Sequence, residues 1–201
     1  MKFYSVLALV FTGRSLAASI AATDSFRAEG YQASNAFPAQ PLFSDGRKAH
    51  FVDLNLRLVL ADTTFAIGAA YLGDYSLLNN TDAAPVILQR SGSAVSHWSA
   101  APGATNGVRP SWTGVRIAVP SSGSTEHDVV FVDPTSDLSN LVDDFALYNP
   151  QIFVQNLESS QLEDWWFAQP HEVDGVWKLL WWPNGDDTDG KTRIQLRKAS
   201  Q

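Results

Sequence analysis

The sequence predicts an all-β fold: a single antiparallel β-sandwich, or a partly closed barrel, with one or two short helices. Three observations predict it. Apolar residues recur with a period of two in several short runs, the mark of half-buried strands. The links between the runs are rich in Gly, Pro, Asn, Asp and Ser, which suit turns. Helix signals are few, and many short strands with turn-rich links point to packed or closed antiparallel sheets.

The chain opens on a segment of another kind. Lys2 gives a positive start, Phe3 to Phe11 form a short apolar core, and Ser15-Leu16-Ala17 places small residues where a signal peptidase reads. We expect a secretory signal peptide over 1–17, with Ala18 and Ala22 as alternative cleavage points. The competing reading is a buried N-terminal strand. The apolar run is too short to cross a bilayer, which needs about 20 residues. Residues 18–201 are then expected to form one β domain, long enough for a sizeable core. No later stretch reaches transmembrane length.

The strands follow in order. Leu54, Leu56, Leu58 and Leu60 alternate with Asp53, Asn55, Arg57 and Val59. Pro85 to Arg90 is a second run. Ser91 to Ser111, rich in Ser, Ala, Gly and Pro, reads as the longest loop. Val115, Ile117 and Val119 alternate up to Pro120, and Val129 to Val132 close at Asp133-Pro134. Leu138, Leu141, Val142 and Phe145 fall at helical spacing, with Ser136 or Asp137 as cap and Asn149-Pro150 as stop. Ile152 to Val154 is another strand candidate. Ser160 and Glu163 have capping-box spacing and offer a second short helix or a loop. Val176 to Trp182 and Thr192 to Leu196 read as a C-terminal hairpin across a turn-rich link at 183–190.

There is no cysteine, so stability must come from packing alone. Seven Trp and eleven Phe supply large apolar areas for that purpose. The charge is uneven. From Glu126 to Asp189 fourteen acids face one base, Lys178, whereas Lys191 to Lys198 carries four bases and no acid. An acidic chain is a poor partner for phosphate, which argues against nucleic acid. The acidic stretch 126–189 suits a basic protein partner or cations, or simply a solvated face paired with the basic tail.

The residues do not compose a catalytic motif. Four His (His50, His97, His127, His171) have no ligand spacing, so neither a metal nor a cofactor is expected. Asp186-Asp187-Thr188-Asp189-Gly190 lacks the EF-hand register and its distal Glu, and reads as a polar turn. Gly-x-Ser-x-Gly is missing after the signal segment. Asp143-Asp144 and Glu163-Asp164 are adjacent pairs, and adjacent strand residues point to opposite faces, which does not suit acid/base work. Asn79-Asn80-Thr81 is an N-glycosylation sequon, with Asn79 as acceptor in a secreted chain.

The tryptophans offer one binding chemistry. Trp165-Trp166 and Trp181-Trp182 are doublets, with Trp177 between them. On a strand, Trp177, Leu179 and Trp181 share one face, and Val176, Lys178, Leu180 and Trp182 the other. Lys178 marks the wetter face. Trp182, and one of Trp165 and Trp166, are therefore candidate platforms for sugar rings beside carboxylates. Against this stands the need of a disulfide-free domain to bury its aromatics.

The C-terminal third carries a family resemblance. Val130-Phe131-Val132-Asp133-Pro134 precedes Trp166-Phe167-Ala168-Gln169-Pro170, then Gly175-Val176-Trp177-Lys178-Leu179 and Ile194-Gln195-Leu196-Arg197. This resembles the small secreted cell-wall proteins of filamentous fungi related to PhiA and to fungal IgE-binding allergens. Gln169 stands where that family has a cysteine, and the partner cysteine is missing as well. The resemblance implies an extracellular or cell-wall β-sandwich without catalytic residues. The leading expectation is thus a non-catalytic secreted protein of structural or host-interaction role. A carbohydrate-binding module or lectin is the first alternative, with cell-wall polysaccharide as ligand. A hydrolase of wall polymers is the second.

Overall fold

The computed structural model describes residues 24–32, 37–46, 49–50, 65–90, 95–105, 107, 109–156, 158–183, 185 and 190–200. The strands are β1 (Asp24–Phe26), β2 (Ala28–Tyr31), β3 (Gln40–Ser44), β4 (Ala49–His50), β5 (Phe65–Gly73), β6 (Ala84–Arg90), β7 (Val95–Pro102), β8 (Val115–Pro120) and β9 (Val130–Val132). They continue with β10 (Leu141–Val142), β11 (Asp144–Tyr148), β12 (Gln151–Gln155), β13 (Leu162–Glu163), β14 (Trp166–Pro170), β15 (Val176–Trp181), β16 (Thr192–Arg193) and β17 (Gln195–Lys198). A single 3-10 turn, Tyr75–Leu77, is the only helical element among the described residues. The protein is all-β, and its described strand pairs are antiparallel, as the sequence predicts.

The pairings form a ring. Strand β6 pairs with β7, β7 with β8, β8 with β9, β9 with β5, β5 with β3, and β3 returns to β6. A second row leaves the same strands: β7 pairs with β11, β11 with β12, β12 with β17, β17 with β2, and β2 with β3. Strand β7 serves both rows along one edge. Val95 to His97 pair with β11, whereas Ser99 and Ala100 pair with β8. That switch brings three strands to one place.

One apolar core fills the interior. It includes Leu42, Leu72, Leu88, Trp98, Ile117, Phe131, Phe145, Trp166, Leu179 and Trp181. Ring contacts knit it together: Phe26 meets Trp98 edge-on at 5.3 Å between centroids, and Trp166 meets Trp181 at 4.9 Å. Edge-to-face pairs of this kind add about 0.5–1.5 kcal/mol beyond the area they bury. A smaller cluster of Ala118, Val130 and Val132 lies apart from the main core, with Leu138 and Leu141 packed on it.

The structure differs from the sequence expectation in several places. The helix expected from Leu138 to Phe145 is instead β10, a break at Asp143, and β11. Asn149-Pro150 is the turn of the β11–β12 hairpin, with Asn149 at φ 42°, rather than a helix stop. Asn tolerates that left-handed backbone. The stretch after Ser160 contains β13, again without a helix. The loop expected from Ser91 to Ser111 contains β7, where Trp98 and Ala100 point inward and His97 outward. Trp98 is the one bulky inward residue among Ser, His and Ala neighbours, so a reading based on runs of bulky apolar side chains passes over the strand.

The C-terminal hairpin is also rearranged. Strand β15 pairs with β14 over five residues, Trp166↔Trp181 to Pro170↔Trp177, and on its other edge with β5. Strand β16 pairs with β14, Phe167↔Arg193, so β14 lies between the two expected hairpin arms. Crossing one intervening strand spans only about 10 Å, which the 183–190 link covers easily. At the β5–β15 junction Gly73 has φ 126°, and a Cβ there would run into the carbonyl oxygen of Gly175. The run from Asp53 to Leu60 and the signal segment 1–17 lie outside the described residues.

Candidate functional site

Strand alternation on β15 distributes its side chains as the period requires. Leu179 and Trp181 enter the main core and Trp177 packs against it, while Val176 joins a cluster with Phe43, Ala69 and Tyr71. Trp166, one of the three glycan candidates, is fully buried, and its Nε1 donates to the carbonyl of Ile152 at 2.9 Å. It has no face to offer a sugar. The reason is local: β14 pairs with β15 on one edge and β16 on the other, and Trp166 meets Trp181 inside.

Trp165 and Trp182 remain half-buried. The amide of Trp182 donates to the carbonyl of Trp165, so they stand side by side just beyond the β14–β15 ladder. Both rings carry cations. The Arg193 guanidinium lies 4.5 Å from the Trp165 ring centroid, and Lys191 Nζ lies 4.3 Å from that of Trp182. His127 stacks on Trp182 as well, with centroids 4.6 Å apart and planes 24° from parallel. A sugar face needs an open ring, and each of these contacts occupies one. The basic tail thus reaches the acidic stretch through aromatic caps and through the pair between Arg193 and Asp164 at 3.2 Å.

The other tail cations pair outside that stretch. Arg197 meets Glu29 at 2.7 Å, and Lys198 meets Asp24 at 3.3 Å. Within the stretch, Lys178 meets Asp128 at 3.1 Å. Asp133 is fully exposed, and its carboxyl is held below the ordinary value of 3.8 by hydrogen bonds from the Thr135 hydroxyl and amide.

A second cluster forms where β7, β8 and β11 meet. His97 Nδ1 lies 2.9 Å from Asp143 Oδ1 and 3.5 Å from Asp144 Oδ1. Arg116 Nη1 donates to the other oxygen of Asp143 at 3.1 Å. Asp143 is buried, whereas His97 is exposed. Alternation does not separate the two carboxylates, because Asp143 sits in the break between β10 and β11. Asp144 is the register partner of His97. Neither His97 nor Arg116 stands near the aspartates in sequence, so only strand pairing brings this group together.

No family model, curated protein or solved structure matches the chain.

The remaining sequence candidates are dispersed. Asn79 is exposed after the 3-10 turn. Its neighbour Asn80 is anchored, donating from Nδ2 to the Asp45 carbonyl and accepting from the Asp82 amide. His171 packs edge-on against Tyr71 and accepts from the Val173 amide. Glu163 accepts from Asn156 Nδ2 at 2.8 Å, and Asp164 is taken up by Arg193. The Asp186 to Asp189 segment lies outside the described residues.

Proposed function

We propose that the chain is a non-catalytic secreted protein, held in the extracellular space or at a cell wall in a structural or host-interaction role. The observation that supports this most is the use of its tryptophans. Trp98, Trp112, Trp166 and Trp181 are buried, and the half-buried Trp165 and Trp182 are covered by cations and an imidazole. Aromatic surface is spent on a cysteine-free core rather than on a binding platform. The signal-like segment 1–17 directs the chain outward, and the exposed Asn79 is then a glycan acceptor.

Secretory expression of the full chain tests the reading. We expect processed protein beginning near Ala18 in the medium or wall fraction, bearing a glycan at Asn79. Retention inside the cell ends the proposal of secretion. Turnover of a wall polymer that a point mutation abolishes ends the proposal of a non-catalytic role.

A further inference from the structure

We propose that His97, Asp143 and Asp144 form a binding site for a divalent first-row transition ion such as Zn2+. The inference does not depend on secretion or on the role proposed above. Donor spacing carries it. Zinc bonds to imidazole nitrogen and carboxylate oxygen are about 2.0–2.2 Å long. Two donors on one such ion, about 90–110° apart, therefore stand roughly 3.0–3.4 Å from each other. The imidazole nitrogen here stands 2.9 Å from one carboxylate and 3.5 Å from the other. All three donor atoms fall within 4.8 Å of one another, so a small turn of the exposed His97 and half-buried Asp144 side chains closes the set.

The surroundings support ligation. A ligating carboxylate is held by an outer partner that fixes which oxygen faces the metal. Arg116 takes Asp143 Oδ2 at 3.1 Å and leaves Oδ1 toward His97. The two carboxylates outweigh the single guanidinium, so the site retains one negative charge for a cation. The imidazole favours a transition ion over calcium or magnesium, which prefer oxygen alone. His97 on β7 and Asp144 on β11 are register partners in paired strands, Arg116 lies on β8, and Asp143 sits in the one-residue break just before β11. Three protein ligands leave coordination positions for water.

The competing account is a plain ion pair in which His97 and Arg116 simply satisfy Asp143. Isothermal titration of chelator-treated full-length protein with Zn2+ separates the two. We expect one ion per chain, with affinity lowered at least tenfold in His97→Ala and in Asp144→Asn. Circular dichroism should show both variants folded, since both positions are accessible to solvent. As a second readout, Co2+ should broaden the NMR resonances of His97 and leave those of His171 sharp. Absence of Zn2+ binding at millimolar concentration overturns the proposal, leaving only the ion pair. Binding that persists undiminished in both variants also overturns it, because the ion then sits elsewhere.

Discussion

The β14–β15 ladder and the junction of β7, β8 and β11 are built from opposite materials. The first places Trp166 and Trp181 edge-to-face in the dry core and leaves Trp165 and Trp182 at its end under Arg193, Lys191 and His127. The second gathers an imidazole, two carboxylates and a guanidinium around one buried oxygen pair. At the ladder, burial is the purpose and polar groups serve as lids. At the junction, a buried charge has to be satisfied, so polar groups must converge. Aromatic abundance therefore points to stability here, and the chemistry-bearing residues collect on the outer side of a junction whose inner side is filled by Trp98 and Phe145.

The largest effect that could break this contrast is at Trp166. Replacing it with Ala leaves a cavity and an unpaired Ile152 carbonyl, and we expect a loss of about 3–5 kcal/mol by denaturant unfolding. Trp165→Ala should cost much less, because that ring is half-exposed. Equal losses would mean that the ladder end is as much a part of the core as its middle.

Next in size is the junction. Arg116→Met removes the guanidinium on Oδ2 and leaves the buried Asp143 carboxylate with the His97 contact on Oδ1. We expect about 1–2 kcal/mol, discounted for the partial exposure of Arg116. In a double-mutant cycle with Asp143→Asn the two changes should couple. Strict additivity would show that the pair contributes nothing.

A smaller effect belongs to the lids. Lys191→Ala should cost under about 1 kcal/mol, the worth of an exposed cation–π contact. Acrylamide should then quench Trp182 more strongly. Unchanged quenching would show that His127, not Lys191, is what shields the ring.

The smallest is a local response to acid at Asp133, one residue past Val132, whose register partner is Arg116. The folded carboxyl titrates below 3.8 because Thr135 donates twice to its charged form. Its contribution is thus present above 3.8 and is lost as pH falls through the lower folded value. Faster amide exchange at Thr135 under acid, with His97 and Asp143 amides unaffected, is the expected result. Loss at all three together would join the turn to the junction.

Period-two alternation determined much by itself. It marked β8 and assigned Leu179 and Trp181 of β15 to one face, because a pleated strand turns its side chains by a fixed rule that needs no distant partner, while short apolar runs marked β6, β9 and β12. Helical spacing misled where two cores meet. Leu138 and Leu141 pack on the smaller cluster, while Val142 and Phe145 belong to the main one, so their helical spacing is a coincidence of two burial sites. Which of Trp165 and Trp166 is buried, which strand lies beside β15, and the meeting of His97 with Asp143 were decided only by the tertiary structure. Each depends on pairing between segments far apart in the chain, and the hydrogen bonds that select such partners are made by a backbone that is the same at every residue.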